Sequence, residues 1–66
     1  MNQDIIDELE TLIDWDYVES EGKDVIRYDY RGYSLWLYLE NNSAEGDAPK
    51  SVINFLKENS IKVVKI

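Results

Sequence analysis

The chain has 66 residues, of which 14 are acidic and seven basic, so its formal net charge is -7, and it contains neither His nor Cys. Without these two residue types, imidazole bases, thiol nucleophiles and the usual zinc ligands are excluded, and we expect no enzyme, no cofactor and no metal site. Residues 1–66 are expected to form a single small domain. The lack of Cys favours a cytoplasmic protein, and neither a membrane span nor a signal peptide is predicted.

The negative charge is concentrated in the first third of the sequence. Residues 1–24 contain nine carboxylates and one base, a net charge of -8, whereas residues 25–66 have a net charge of +1. An acidic field repels nucleic acid and membrane phosphates and attracts cationic surfaces. We therefore expect the partner to be a basic protein, and nucleic-acid-binding proteins are one such class. We do not expect this chain itself to bind nucleic acid or membranes. The alternative is that the charge serves only solubility.

The first predicted element is an amphipathic helix over residues 3–14. Its apolar residues recur at spacings of three and four positions, the period of one helical stripe, and Asn2 is a suitable N-cap. Acidic side chains occupy the opposite side of the helix, and more carboxylates follow it. The predicted partner-binding acidic face comprises Asp4, Asp7, Glu8, Glu10, Asp14, Asp16, Glu19 and Glu21.

Three strands are predicted after this helix. A weak strand covers residues 15–20, and stronger strands cover 25–30 and 33–40, which are dense in β-branched and aromatic residues. Arg31-Gly32 lies between the two stronger strands and predicts a hairpin. A two-residue loop there would pair Tyr28 with Leu35, and a four-residue loop would keep the same side chains on the same face.

The same loop predicts which side chains share the uncovered face of the sheet. It places Arg27 opposite Trp36, because a one-residue slip would bury Arg27 among leucines at a cost of several kcal/mol for an unpaired ion. Arg27, Trp36 and Tyr38 form the predicted partner-binding aromatic face, since these residue types dominate interface hot spots. The alternative is that the pair of Arg27 and Trp36 only stabilises the hairpin.

The rest of the sequence predicts a loop over residues 41–47, a helix that begins near Pro49 and ends near Asn59-Ser60, and a strand over residues 61–66. The predicted fold class is α+β in the order α-β-β-β-α-β. It combines an antiparallel meander with a C-terminal strand and places two helices on one face.

Residues 31–38, RGYSLWLY, resemble the RNA-binding signature of an RNA-recognition motif. The predicted register, however, directs Tyr33 and Leu35 toward the helices, whereas that family stacks bases on the open face of its sheet. The sequence also has no strand before its first helix to supply the family's second aromatic motif. These observations argue against RNA binding.

Two functional hypotheses remain open. In size, charge and element order the chain resembles the small acidic proteins of bacteriophages and mobile elements, which include anti-CRISPR proteins and other nucleic-acid mimics. This resemblance implies an inhibitor that blocks a basic surface of a larger protein. The alternative is a self-associating structural or assembly module, such as a homodimer. It would use the face of Trp36 and Tyr38 or an edge strand at residues 15–20 or 61–66.

Overall fold

In the computed structural model, which describes residues 1–65, the chain forms two helices and five strands. The predicted α+β class is confirmed. The strand predicted over residues 61–66 is present but shorter, and Ile66 lies outside the described residues. In chain order the elements are α1 (Gln3–Leu12), β1 (Tyr17–Ser20), β2 (Val25–Tyr30), β3 (Tyr33–Tyr38), β4 (Ser43–Gly46), α2 (Lys50–Glu58) and β5 (Lys62–Val64).

Asn2 caps α1 as predicted, because its side-chain oxygen accepts a hydrogen bond of 2.8 Å from the Asp4 amide. The helix ends at Leu12, two residues earlier than predicted, and Ile13 is extended. The last turn has no basic residue, and a carboxylate at Asp14 would interact unfavourably with the negative end of the helix dipole. This charge arrangement favours the early end of the helix.

The five strands form one mixed sheet whose order, β1-β2-β3-β4-β5, follows the chain. β1 to β4 pair antiparallel, and β5 pairs parallel to β4 after the crossover through α2. The predicted antiparallel meander with a C-terminal strand is therefore confirmed. β1 and β5 are the two edges of the sheet within the described chain.

β4 was not predicted, because it lies inside the segment 41–47 that the sequence assigned to a loop. Its sequence, SAEG, contains no β-branched or aromatic residue. Pairing on both sides stabilises it instead, with Ala44 aligned to Leu37 of β3 and to Val63 of β5. The observed element order is consequently α-β-β-β-β-α-β.

The hairpin between β2 and β3 has a two-residue loop, one of the two loop lengths compatible with the predicted register. Arg31 and Gly32 both have positive φ, 44° and 87°, which matches the right-handed twist of the flanking strands. Tyr30 is aligned with Tyr33, Tyr28 with Leu35 and Arg27 with Trp36, so the predicted register is confirmed.

Both helices contribute to a core on one face of the sheet. Trp15, in the loop between α1 and β1, closes one side of this core: its indole nitrogen donates to the Leu9 carbonyl at 2.9 Å, and its ring lies 5.0 Å from that of Tyr28. The weak strand predicted from residue 15 therefore begins only at Tyr17. The buried hydrophobic residues are Ile6, Leu9, Tyr28, Leu35, Leu37, Ala44, Ala48, Val52, Leu56 and Ile61.

Gly46 allows the backbones of β3 and β4 to approach closely. Its φ is +117°, and a Cβ built there would lie 2.2 Å from the carbonyl oxygen of Ser34. The same carbonyl accepts a hydrogen bond of 2.9 Å from the Asp47 amide, so it cannot move away without losing that bond.

We expect Gly46→Ala to lower the free energy of unfolding by more than about 3 kcal/mol, because a backbone penalty of about 1 to 3 kcal/mol is added to a clash. Gly22→Ala is the matched control, since Gly22 also has a positive φ but a methyl group added there would meet nothing within 4 Å. Urea unfolding of both variants measures the difference. Equal destabilisation by the two substitutions would contradict the proposed role of the close approach.

Candidate functional site

All eight carboxylates of the predicted acidic face are exposed. Among residues 1–65 none of the eight lies within 4.0 Å of a charged nitrogen, whether of a Lys or Arg side chain or of the N-terminus. The ion pairs that are present involve other acids, namely Arg27 with Asp29 at 3.1 Å and Lys65 with Asp47 at 4.0 Å. None of the eight therefore forms an ion pair with a cation of the described chain, although, after Asp29, the charges of Glu21 and Glu19 help to raise the pKa of Arg27.

The structure divides the acidic face between the two sides of the sheet. The carboxylates of α1 lie on the side that the helices cover, whereas Glu19 of β1 is aligned with Arg27 and therefore points to the opposite face. Glu21, which follows β1, also reaches this face and accepts a hydrogen bond of 2.9 Å from the indole nitrogen of Trp36. The sequence predicted one partner-binding acidic face, but the alternation of side chains along β1 distributes its carboxylates over two surfaces.

Several of these carboxylates also stabilise the fold. Glu10 accepts a hydrogen bond of 3.1 Å from the hydroxyl of Tyr28, whose ring is fully buried. Asp16 accepts one of 2.8 Å from the amide of Arg31 and so supports the hairpin turn. Substitutions at such positions would change stability as well as surface charge.

The predicted aromatic face lies on the uncovered side of the sheet. The guanidinium of Arg27 is 5.4 Å from the ring centre of Trp36, within range for a cation–π interaction. Its Nε atom donates to Asp29 at 3.1 Å, and the hydrogen bond and charge of Asp29 raise the pKa of Arg27. Tyr38 is adjacent to this cluster, aligned with Val25. The three predicted residues are thus brought together on one surface.

We call this uncovered side the open face. None of its residues is buried, and the core lies entirely on the other side. It carries four carboxylates, Glu19, Glu21, Asp29 and Glu45, and two bases, Arg27 and Lys62, so it has a net negative charge. One row of aligned residues crosses all five strands: Glu19, Arg27, Trp36, Glu45 and Val64.

Sequence reasoning did not find Glu45 and Val64 as members of this face. Glu45 lies in β4, whose composition gives no strand signal, and Val64 joins the row only through its pairing with Glu45. The register also confirms that the residues matching the RNA-recognition signature face the wrong side of the sheet for base stacking, because Leu35 is buried on the helix side. Its base-stacking positions are therefore not on the open face.

Neither helix found in residues 1–65 is long and apolar enough to cross a membrane. The same residues contain no group of three or more acidic side chains placed to hold a metal ion. Comparison with known proteins found no matching family model, no matching curated protein and no matching solved structure. The geometry of the acidic face and of the open face is thus the basis for a functional proposal.

The hydrogen bond between Tyr28 and Glu10 leads to a prediction about alkaline stability. Burial, followed by the charge of Glu10, raises the pKa of Tyr28 well above its ordinary value of 10.0. Above that pH the unfolded chain loses a proton that the folded chain retains. The free energy of unfolding should therefore fall as pH rises, by up to about 1.4 kcal/mol per pH unit from this group.

Tyr28→Phe should remove this contribution, so its stability should fall less steeply above pH 10.0 than that of the native chain. Urea unfolding at a series of alkaline pH values measures the slopes. Tyr33→Phe is the control, because it removes a hydroxyl from an exposed position beside the turn and retains the hydrogen bond between Tyr28 and Glu10. Identical slopes for the native chain and Tyr28→Phe would contradict the prediction.

Proposed function

We propose that this protein is a small acidic protein-binding domain that inhibits a larger cytoplasmic protein by occupying its basic surface. In this proposal it acts as a nucleic-acid mimic, like the small inhibitors of bacteriophages and mobile elements, and not as an enzyme. The observation that supports this function is the set of eight exposed carboxylates without a cationic partner in residues 1–65.

The density of charge on α1 is suited to this role. Asp4, Asp7, Glu8 and Glu10 fall within about 9 Å of helix axis at a rise of 1.5 Å per residue. Duplex DNA carries one negative charge per about 1.7 Å of its axis, so the helix approaches that density within a factor of about two. Lys and Arg side chains that bind phosphates can pair with carboxylates at this spacing.

Electrostatic attraction also determines how such a complex forms. A field of one sign accelerates encounter with an oppositely charged surface, and the acceleration falls steeply with ionic strength. An inhibitor of this type needs no catalytic group, because it competes with nucleic acid for the same cationic side chains. Its complex should therefore be disrupted by salt and by the nucleic acid that the partner normally binds.

We predict that Asp7→Lys with Glu8→Lys weakens partner binding by about tenfold or more, since two attractive contacts become repulsive. These positions are suitable because both side chains are exposed and, of the two carboxylates, only that of Asp7 accepts a hydrogen bond, from the Gln3 amide. The partner is isolated by capture on the immobilised protein from a nuclease-treated host lysate and elution with a salt gradient. Its affinity for each variant is then measured by calorimetry.

Glu40→Lys with Glu58→Lys is the matched control. It changes the net charge by the same amount, from -7 to -3, at exposed carboxylates outside the acidic face. We expect this control to retain nearly native affinity. An equal loss of affinity in both double variants would show that binding depends on net charge and not on the acidic face. Unchanged affinity in Asp7→Lys with Glu8→Lys would overturn the mimic proposal.

A second candidate function is self-association through the open face. Tyr17 and Val64, at opposite ends of this face, are 46% and 45% exposed, and Trp36 and Tyr38 lie between them. Exposed aromatic and β-branched side chains on one surface are typical of protein interfaces. The net negative charge of the open face opposes the stacking of two identical copies, and we therefore rank this function second.

If the open face mediates dimerisation, Trp36→Ala should shift the protein from dimer to monomer in analytical ultracentrifugation, because the largest apolar side chain of the contact is removed. The dimer should tolerate high salt, since an apolar contact is not screened. Tyr33→Ala, which removes an exposed aromatic ring from the other side of the sheet, should leave the dimer intact. A native protein that stays monomeric at high concentration would exclude this function.

A further inference from the structure

The free edge of β1 is a surface whose role neither proposal above explains. In the described part of the chain, β1 is at one end of the sheet and pairs only with β2, and all four of its residues are exposed. No helix or loop of the described chain forms backbone hydrogen bonds with its outer side. Such an edge can accept another strand, because its outward N–H and C=O groups have no protein partner and can form hydrogen bonds with the backbone of an added strand.

The pairing of β1 with β2 identifies the backbone groups that remain available. The amide of Glu21 donates to the Val25 carbonyl at 2.8 Å, which marks the pair of Glu21 and Val25 as hydrogen-bonded. Bonded pairs alternate with non-bonded ones along an antiparallel ladder. The N–H and C=O groups of Val18 and Ser20 therefore point away from β2, toward the free edge.

The charge around β1 determines which strand can add there. Asp14, Asp16, Glu19 and Glu21 lie on or beside it, and all four are exposed. Pairing with the β1 strand of a second copy would bring eight carboxylates together, which is strongly unfavourable. The opposite edge, β5, begins with Lys62, is followed by Lys65 and would repel a cationic strand. Within residues 1–65 only β1 combines a free edge with a negative environment.

We propose that β1 binds an extended cationic segment of a partner protein, which adds to the sheet as a further strand. The segment would carry Lys or Arg at alternate positions beside Glu19 and Glu21 on the open face, since directly opposed side chains lie about 4.5 to 5.5 Å apart. Residues between them would contact Val18 on the other face. This inference rests on the proposed function, because it specifies how the basic partner would be held.

The probe for this site is a short synthetic peptide in which Lys alternates with Thr, labelled for fluorescence anisotropy at low ionic strength. Two further peptides are methylated on the backbone nitrogens of all Thr or of all Lys residues. An antiparallel strand would bond to β1 through the Thr nitrogens and a parallel strand through the Lys nitrogens. One of the two methylated peptides should therefore lose binding by at least about tenfold while the other retains it.

The matched protein variants are Val18→Pro and Val18→Thr. Proline at position 18 removes an N–H that points to the free edge and leaves the bonds between β1 and β2 in place, whereas threonine retains that N–H. We expect Val18→Pro to bind the unmethylated peptide at least about tenfold more weakly than Val18→Thr, which should resemble the native chain. Circular dichroism and urea unfolding verify that both variants are folded.

The outcomes separate this inference from the function on which it rests. Strand addition at β1 is overturned if the unmethylated peptide does not bind. It is also overturned if Val18→Pro and both methylated peptides bind as tightly as their unmodified counterparts. The acidic-domain proposal would still stand if Asp7→Lys with Glu8→Lys weakens capture of the natural partner. A sharp loss with Val18→Pro and with one methylated peptide would support an edge site for a cationic strand.

Discussion

The two-residue turn at Arg31-Gly32 is the constraint on which the rest of the structure depends. Because both residues have positive φ, the turn joins β2 and β3 without an added residue and sets their register. This register places Tyr28 and Leu35 under the helices and Arg27 and Trp36 on the other side. One residue more or less in the turn would exchange these faces, expose the apolar side chains and bury the charged ones.

One covered face and one open face follow from this register and from the size of the chain. Two short helices supply enough apolar surface to cover one side of a five-stranded sheet, and the other side remains in contact with water. Cross-strand interactions organise that side: Arg27 binds Asp29 and lies over Trp36, which in turn donates to Glu21. The residues proposed to meet a partner are thus held in defined positions before any partner arrives, which lowers the entropic cost of binding.

The acidic side chains combine two roles in the same molecule. Glu10 and Asp16 hold the Tyr28 hydroxyl and the hairpin turn, yet both remain exposed and contribute to the negative surface. The two sheet edges differ in charge, since carboxylates lie on and beside β1, whereas β5 begins with Lys62 and is followed by Lys65. This asymmetry favours cationic partners at one edge and disfavours pairing between the β1 edges of two copies.

Local signals in the sequence determined a large part of this fold. The three- and four-residue spacing of apolar residues and Asn2 predicted α1, β-branched and aromatic residues predicted β2 and β3, and Arg31-Gly32 predicted their register and the grouping of Arg27 with Trp36. Tertiary structure alone decided the formation of β4, whose Ser43–Gly46 segment is a strand because β3 and β5 pair with both of its sides. It also decided the division of the acidic face, since the direction of Glu19 depends on how β1 pairs with β2. Spacing along a chain specifies the faces of single elements, but contacts between distant segments determine which faces come together.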